Sequence, residues 1–301
     1  MRITNKQVYL TVLTNIERPA RRMLKLQTQL SSGKRINRYS DDPLAAGEVE
    51  RYRGEKASTL QYKKNITDGL MWMRQTEIAL DRLEQNIIRA KALAVEAANS
   101  TKSSDDRLTI ANEVNQILED VVSIANANFR EKYLFAGIHT KQRPFVEVRD
   151  SNGYIESVTM SDDNTASLYR LVGNGLQIQV NIPGKEVFNL TDGPISTLID
   201  LRDSLQKNDI DGINASLAAL DNVLEKSLNA RTTLGSRMAR MNTMKDALST
   251  TEVDIVRNIS ELEDADVADL IMKLTSEEVG YRSAIGAAAR IMQTNLVDIL
   301  T

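Results

Sequence analysis

The sequence predicts a mainly α fold: a long antiparallel helical bundle or coiled coil formed by the N- and C-terminal arms, with a small inserted antiparallel β domain. Three observations support this prediction. None of the five Pro residues lies between 44 and 143 or after 194, so two long stretches lack the strongest helix breaker. Apolar residues in both arms recur at steps of three and four, as in a helical seam. The centre combines glycine and proline with alternating apolar residues, which is typical of strands.

The N-terminal arm carries the first seam. Its positions are separated by alternating steps of four and three: Tyr9, Leu13, Ile16, Ala20, Met23, Gln27 and Leu30. Pro19 lies inside this seam and lacks a backbone N–H, so we expect a kink or a break of the helix there. Gly33 is expected to end the helix, and Asp41-Asp42-Pro43 predicts the start of the next one, because an acidic cap precedes a first-turn proline.

Two helices should follow, joined by a polar turn. The pattern from about Pro43 to Asn99 is helical, with apolar residues every seven positions. Ser104, followed by two aspartates, is expected to cap the next helix, which fades near Asn128. Two long helices joined by a short turn are expected to pack antiparallel.

The central segment has strand character. Asn152-Gly153 separates two β-rich runs, which is the strongest short-range signal for a hairpin. A second alternating run follows Gly173-Asn174-Gly175, and Pro183-Gly184 is expected to turn the chain into a last short run. These signals predict a small antiparallel β domain over 138–193.

The C-terminal half returns to helical spacing. Pro194 predicts the start of a helix with Ile195, Leu198, Ile199, Arg202 and Leu205. Asn208-Asp209 separates this helix from the clearest seam, which alternates steps of four and three: Ile213, Leu217, Leu220, Leu224, Ser227, Arg231, Leu234, Met238, Met241, Lys245 and Leu248. The arm that follows continues the apolar pattern with Val267, Leu270, Leu274, Tyr281, Ile285, Ala288 and Met292.

The two arms carry opposite charge. Residues 1–60 hold twelve Lys/Arg and six Asp/Glu, a net charge of +6, whereas residues 251–301 hold four Lys/Arg and ten Asp/Glu, a net charge of −6. Such runs are commonly two solvated helix faces. The apolar seams favour a second interpretation, in which the two arms pack against each other and their opposite charges guide the pairing.

Composition excludes most catalytic chemistry. The chain has no Cys and a single His, His139, so disulfides, Cys-ligated metals and multi-His centres are excluded. The carboxylates near the C-terminal arm lack the spacing of a calcium loop: Glu261, Glu263, Asp264, Asp266 and Asp269. The sequence also contains no Gly-x-Gly-x-x-Gly, Gly-x-x-x-x-Gly-Lys or Gly-x-Ser-x-Gly motif, so we predict no enzyme activity, no cofactor and no metal. The net charge of −3 and the lack of a long apolar run predict no nucleic-acid partner and no membrane insertion.

Two motifs stand near the ends of the chain. The N-terminal motif is Leu30-Ser31-Ser32-Gly33-Lys34-Arg35-Ile36-Asn37, followed by Ser40-Asp41-Asp42-Pro43 and Ala45-Ala46. The C-terminal motif is Leu262-Glu263-Asp264-Ala265-Asp266-Val267-Ala268. Both resemble the terminal motifs of bacterial flagellins and their hook-associated relatives. Further matches to the helical core of that family are Arg107, Glu113, Asn126, Arg231 and Leu234-Gly235. The resemblance covers residues 1–137 and 195–301, and the two end motifs together are highly specific.

A third run distinguishes members within the family. Tyr133-Leu134-Phe135-Ala136-Gly137 resembles the junction proteins of the family more than its filament flagellins. In these relatives a glycine often stands two residues before the tyrosine, where this chain has Glu131.

The resemblance implies a structural protein of the bacterial flagellum that joins hook to filament and adapts the flexible hook to the stiffer filament. It also implies partners: further copies of the chain in a ring, a neighbouring hook-associated junction protein, flagellin, and an export chaperone that binds the C-terminal part. Export would then use the flagellar type III apparatus without a cleaved signal and end outside the cell.

We divide the chain on this basis into terminal assembly arms (1–40 and 260–301), a helical core domain (41–137 and 194–259) and an outer β domain (138–193). The arms are expected to be disordered in the free monomer and to fold on assembly, because one apolar stripe per helix gives little stability alone. Three alternatives stay open: a short filament flagellin, a secreted enzyme or adhesin on the same frame, and a cytoplasmic coiled-coil adaptor, which leaves the paired motifs unexplained.

Overall fold

The computed structural model describes residues 5–99, 101–151, 153–161 and 165–300. Seven helices form most of this described part: α1 (Asn5–Ser32), α2 (Pro43–Ala97), α3 (Ser104–Ala125), α4 (Gly184–Val187), α5 (Pro194–Gln206), α6 (Ile210–Glu263) and α7 (Val267–Leu300). Among the described residues, six short strands lie between α3 and α4: β1 (Asn128–Phe129), β2 (Lys132–Tyr133), β3 (Phe145–Arg149), β4 (Ile155–Met160), β5 (Tyr169–Gly173) and β6 (Leu176–Gln179). The predicted fold class is confirmed.

The chain divides into two compact units. The first unit is Met1–Ser58 with Thr250–Thr301, and the second is Thr59–Ser249. The first unit therefore contains both terminal arms, and the second contains all strands of the described residues. The finer division into arms, helical core and outer β domain stays a prediction.

In the first unit α1 packs against α7. The face of α1 that is withdrawn from solvent keeps steps of four and three: Val12, Ile16, Pro19, Met23, Leu26 and Leu30. The predicted period was right, but Tyr9, Leu13 and Gln27 were wrong, because they lie on the exposed side. The sequence offers two apolar stripes that are one residue apart, and packing against α7 selects the one that includes Pro19.

Of the kink or break expected at Pro19, the break is wrong, because α1 runs through this residue without interruption, and the kink stays a prediction. A proline removes only one backbone N–H from the helix. The Pro19 ring is buried, so the apolar surface that it removes from water helps to offset the missing hydrogen bond.

The inner face of α7 follows the same rule. It repeats steps of four and three through Leu270, Leu274, Glu277, Tyr281, Ala284 and Ala288. Val267 and Ile285, which the sequence seam included, are 49% and 43% exposed and lie off this face. The side chain of Met292 lies outside the described residues.

Among the described residues, the second unit has one continuous apolar core that α2, α3, α4, α5, α6 and the strands β3, β4, β5 and β6 share. Four positions of the predicted α6 seam are fully buried in it: Ile213, Leu220, Leu234 and Met241. The helix cap expected at Ser104 was wrong by one residue. The Ser103 hydroxyl accepts from Asp106 N at 3.1 Å, and the Asp106 carboxylate accepts from Ser103 N at 3.1 Å, so the two residues form a capping box.

In the described part of the chain the strands form three separate two-stranded antiparallel sheets, β1–β2, β3–β4 and β5–β6, rather than one sheet. The β3–β4 hairpin lies where the sequence predicted it, although Asn152 itself falls outside the described residues. The last run, after Pro183-Gly184, was expected to be extended but forms helix α4, because Phe188 N bonds to Gly184 O at 2.7 Å and closes one helical turn. No helix in the described part of the chain is long and apolar enough to cross a membrane.

The β1–β2 turn predicts a stabilising substitution. Arg130 and Glu131 have φ of 51° and 61°, in the left-handed region, which costs a residue with a Cβ about 1 kcal/mol or more and costs glycine almost nothing. We expect Glu131→Gly to raise the free energy of unfolding by about 0.5–1 kcal/mol in urea denaturation. Glu131→Ala keeps the Cβ and is the matched control, so an equal gain from both variants would contradict this explanation.

Candidate functional site

The two terminal motifs meet in the first unit, where the segment after α1 runs antiparallel to the segment after α6. Arg35 N donates to Glu263 O at 2.7 Å, and Ala265 N donates to Gly33 O at 3.0 Å. We call these four residues the arm bridge. Two backbone hydrogen bonds in opposite directions fix the two segments in one register.

Gly33 allows α1 to end at the arm bridge. Its φ of 70° lies in the left-handed region, which glycine adopts without steric cost after a helix. A Cβ added there would meet nothing within 4 Å, so the requirement comes from the backbone rather than from packing. The buried Gln29 also fixes the segment after α1, because its Nε2 donates to Arg35 O at 2.6 Å.

A buried carboxylate joins the arms through side chains. Glu263 is 6% exposed, and its Oε1 accepts from Lys34 Nζ at 2.9 Å and from an Arg53 guanidinium nitrogen at 2.7 Å. Burial pulls the pKa of Arg53 down, but Glu263 and Glu50 outweigh it, so that pKa lies above its usual value. Burying a carboxylate costs free energy unless a cation pairs with it, and two cations, Lys34 and Arg53, pair with this one.

Further contacts join the basic arm to the acidic arm. Arg22 of α1 pairs with Glu277 of α7 at 3.1 Å, and the Arg35 guanidinium donates to Leu262 O at 2.8 Å. The opposite net charges of the two arms therefore correspond to actual ion pairs within the first unit.

Asp41 orders the loop between α1 and α2. Its carboxylate accepts from the backbone N–H groups of Asn37 at 3.2 Å and Arg38 at 3.0 Å, and it pairs with Lys25 at 2.9 Å. The Lys25 hydrogen bond is the main reason that the pKa of Asp41 lies below its usual value. The loop is thus held by charge-assisted bonds at both its backbone and its side chains.

The next two motif residues start α2. Asp42 accepts from Ala45 N at 3.1 Å, and Pro43 is the first helical residue, as the sequence predicted. Ile36 packs with Ala45 and Ala46 in a small apolar cluster of its own. The turn that ends the N-terminal motif is therefore capped on one side and packed on the other.

The C-terminal carboxylates serve the turn between α6 and α7. Asp266 accepts from Ala268 N at 2.9 Å and Asp269 N at 3.2 Å, which caps α7, and Asp264 accepts from the Ser260 hydroxyl. Among the described residues, no group of three or more His, Cys, Asp or Glu side chains could hold a metal ion.

The structure brings the residues of both end motifs into the first unit: Leu30, Ser31, Gly33, Ile36, Asp41, Asp42, Pro43, Leu262, Asp264, Asp266 and Val267. These residues do not contribute equally to the packing and hydrogen bonding of the first unit. Leu30 belongs to the inner face of α1, whereas Val267 is half exposed and the Ser31 hydroxyl donates to Thr28 O within its own helix. The remaining motif residues lie in the second unit.

Arg107 and Asn126 tie turns together in the second unit. Arg107 is 4% exposed and donates to three oxygens, Ala97 O at 2.9 Å, Asn208 Oδ1 at 2.6 Å and Asn99 O at 3.1 Å. It thus links the turn after α2 to the turn before α6. Asn126 exchanges two hydrogen bonds with the Phe145 backbone, which fixes β3 to the end of α3.

Arg231 joins α6 to α2. Its guanidinium pairs with Glu77 at 3.3 Å, Asp81 at 3.1 Å and Glu84. The hydrogen bond to Glu84 is the main reason that the pKa of Arg231 lies above its usual value. Nothing in the structure explains glycine at Gly235, since a Cβ there would meet no atom within 4 Å.

The run from Tyr133 to Gly137 belongs to the core rather than to a surface. Phe135 is fully buried and meets the Phe188 ring edge-to-face at 5.0 Å, and Phe188 meets Phe145 in the same way at 5.5 Å. Tyr133 is the last residue of β2, and Gly137 has φ of 60°, which suits glycine.

Sequence reasoning missed two groups. Arg202 is 5% exposed and donates to Ile155 O at 2.7 Å, which holds β4 to α5. Its position among the apolar residues of α5 was the available signal. Glu263 and Lys34 lie inside the two end motifs, but nothing in the sequence pairs them, and Arg53 carries no signal, because only the fold brings it to Glu263.

Comparison with known proteins finds flagellar proteins, both among the family models and among the individual relatives. The family model of the bacterial flagellin N-terminal helical region matches residues 3–140, and that of the C-terminal helical region matches residues 217–300. Flagellar hook-associated protein 3 of Salmonella typhimurium is 25% identical over 308 residues, covering 94% of this chain and 96% of the relative. The flagellar filament 41 kDa core protein of Borreliella burgdorferi is 24% identical and covers 91% of each chain.

A solved structure shares the fold. The flagellar junction protein FlgL from Legionella pneumophila superposes with a TM-score of 0.60 at 15% identity, covering 72% of this chain and 100% of that chain. At this identity the likeness concerns the fold alone.

Proposed function

Because the chain belongs to the bacterial flagellin family, we propose that it is the structural protein that joins the flagellar hook to the filament and adapts the flexible hook to the stiffer filament. One observation carries the proposal: the match to a hook-associated protein 3 extends over 94% of this chain and 96% of the relative. The run from Tyr133 to Gly137, which resembles the junction members of the family, supports the same choice.

A short filament flagellin is the second candidate. The match to a flagellar filament core protein over 91% of both chains favours it. Both candidates are structural proteins without catalysis, and they differ in where the chain lies along the flagellum.

The proposed partners are further copies of the chain in a ring, a neighbouring hook-associated junction protein, flagellin, and an export chaperone that binds the C-terminal part. Exposed apolar side chains on both arm helices give such neighbours a surface to cover: Leu10 and Leu24 on α1, and Met272 and Val279 on α7. In this proposal the arms, 1–40 and 260–301, are disordered in the free chain and order on assembly. The chain leaves the cell through the flagellar type III apparatus and remains outside as part of the flagellum.

Immunogold electron microscopy of isolated flagella tests this proposal against the flagellin alternative. Antibodies raised against the purified chain should label one narrow band between hook and filament. Label along the whole filament would contradict the junction assignment and support the filament flagellin. Antibodies against the flagellin of the same cells are the control and should label the filament only.

A further inference from the structure

The turn of the β5–β6 hairpin places an asparagine directly before a glycine in solvent. Asn174 and Gly175 form this two-residue turn and are both exposed, and Gly173 pairs with Leu176 beside it. We propose that Asn174 is a site of spontaneous deamidation, at which the chain gains a negative charge without any enzyme. The proposal depends on this hairpin alone and not on the flagellar function.

The reaction needs only water. The backbone nitrogen of Gly175 attacks Cγ of Asn174, the Cγ–Nδ2 bond breaks, and Nδ2 leaves as ammonia with the proton that the backbone nitrogen gives up. Water then opens the resulting five-membered imide at either carbonyl and produces aspartate or isoaspartate. One water enters and one ammonia leaves, so no oxidant or reductant takes part.

Glycine at position 175 removes the steric barrier to this attack. A side chain after the asparagine would crowd the approach of the backbone nitrogen to Cγ, and glycine has none. A Cβ built on Gly175 would meet no atom within 4 Å, so the surroundings leave this approach open as well.

The Asn174 amide is also unrestrained. Among the described residues its side chain makes no hydrogen bond. Asn181, in the same part of the chain, is the contrasting case: it is fully buried, its Oδ1 accepts from Leu168 N at 2.7 Å, and its Nδ2 donates to Ala166 O at 2.9 Å. An amide held at both ends cannot rotate into the attacking geometry, whereas the Asn174 amide can.

The product changes the surface and not the core. The new carboxyl has an ordinary pKa of about 4 when exposed, so it is ionised at neutral pH. Isoaspartate also inserts one additional atom into the backbone of the turn. Val172 and Ile178, on the two strands beside it, are buried in the core of the second unit, so the hairpin should stay docked.

Mass spectrometry of the aged full-length chain tests the proposal. The purified protein is incubated at mildly alkaline pH and digested with trypsin, which releases residues 171–185 with Asn174 and Asn181 in one peptide. Fragmentation then distinguishes the two sites. We expect Asn174 to convert faster than Asn181 by on the order of tenfold or more, with isoaspartate among the products.

Two variants complete the test. Asn174→Gln should remove the fast conversion from this peptide and leave only that of Asn181, and Asn174→Asp gives the reference for the aspartate product. Conversion of Asn174 at the rate of Asn181, or an intact Asn174 in the folded chain while the denatured chain converts, would overturn the proposal.

Discussion

Cells that carry Glu263→Gln as their only copy of this chain are expected to bear far fewer filaments than cells with the unchanged chain. Glu263 is the buried carboxylate that Lys34 and Arg53 share at 2.9 and 2.7 Å. Glutamine keeps the shape but removes the charge, so it leaves two cations of the basic arm without their partner.

The size of this effect follows from burial. Breaking a fully buried pair costs about 3–5 kcal/mol, but Lys34 and Arg53 are 43% and 46% exposed and water compensates them in part. We therefore expect about 2 kcal/mol, or more than tenfold in the population with joined arms. Counting filaments by electron microscopy measures the consequence, and immunoblotting of the medium and cells shows whether the variant is still exported.

Glu261→Gln is the matched control. It makes the same chemical change two residues earlier in α6, on an exposed side chain. Cells with this variant should keep their filaments. Equal filament numbers in the two variants would mean that the Glu263 ion pairs are not needed to hold the arms together.

The second large effect concerns the aromatic cluster of the second unit. Phe135→Ala should lower the free energy of unfolding by about 3–5 kcal/mol, because it leaves a cavity and removes the edge-to-face contact with Phe188. Urea denaturation followed by circular dichroism measures this loss.

Phe129→Ala is the control for this substitution. Phe129 lies in β1, a few residues away, and is only partly buried against the same core. Its loss should cost clearly less than the loss of Phe135. A cost below about 1 kcal/mol for Phe135→Ala, or an equal cost for both variants, would show that the cluster does not anchor this segment.

The spacing of the apolar residues and the positions of glycine and proline made much of the fold predictable from the sequence. The steps of three and four predicted the long helices, and Gly33 and Pro43 marked a helix end and a helix start correctly. These features are local, because a backbone conformation or a missing N–H acts on the residues beside it. The apolar seams of the arms, together with their opposite charges, also favoured the interpretation that the arms pair.

The remaining features depend on the surfaces and side chains that other helices and strands bring near. Val12 rather than Leu13 faces inward on α1, because the shape of α7 decides between two adjacent apolar stripes. Pro19 is compatible with a continuous helix because its ring is buried in the packed structure. The sequence could not place Arg53 beside Glu263 or Arg202 beside Ile155 O, because these contacts join residues that are far apart in the chain.

The most direct measurement of the central proposal is the flagellar morphology of cells that lack this chain. We expect electron microscopy to show hooks without filaments, and immunoblotting to show flagellin accumulating in the medium. Supplying the unchanged chain should restore the filaments. Cells without the chain that still build filaments on their hooks would contradict the proposal that it joins hook to filament.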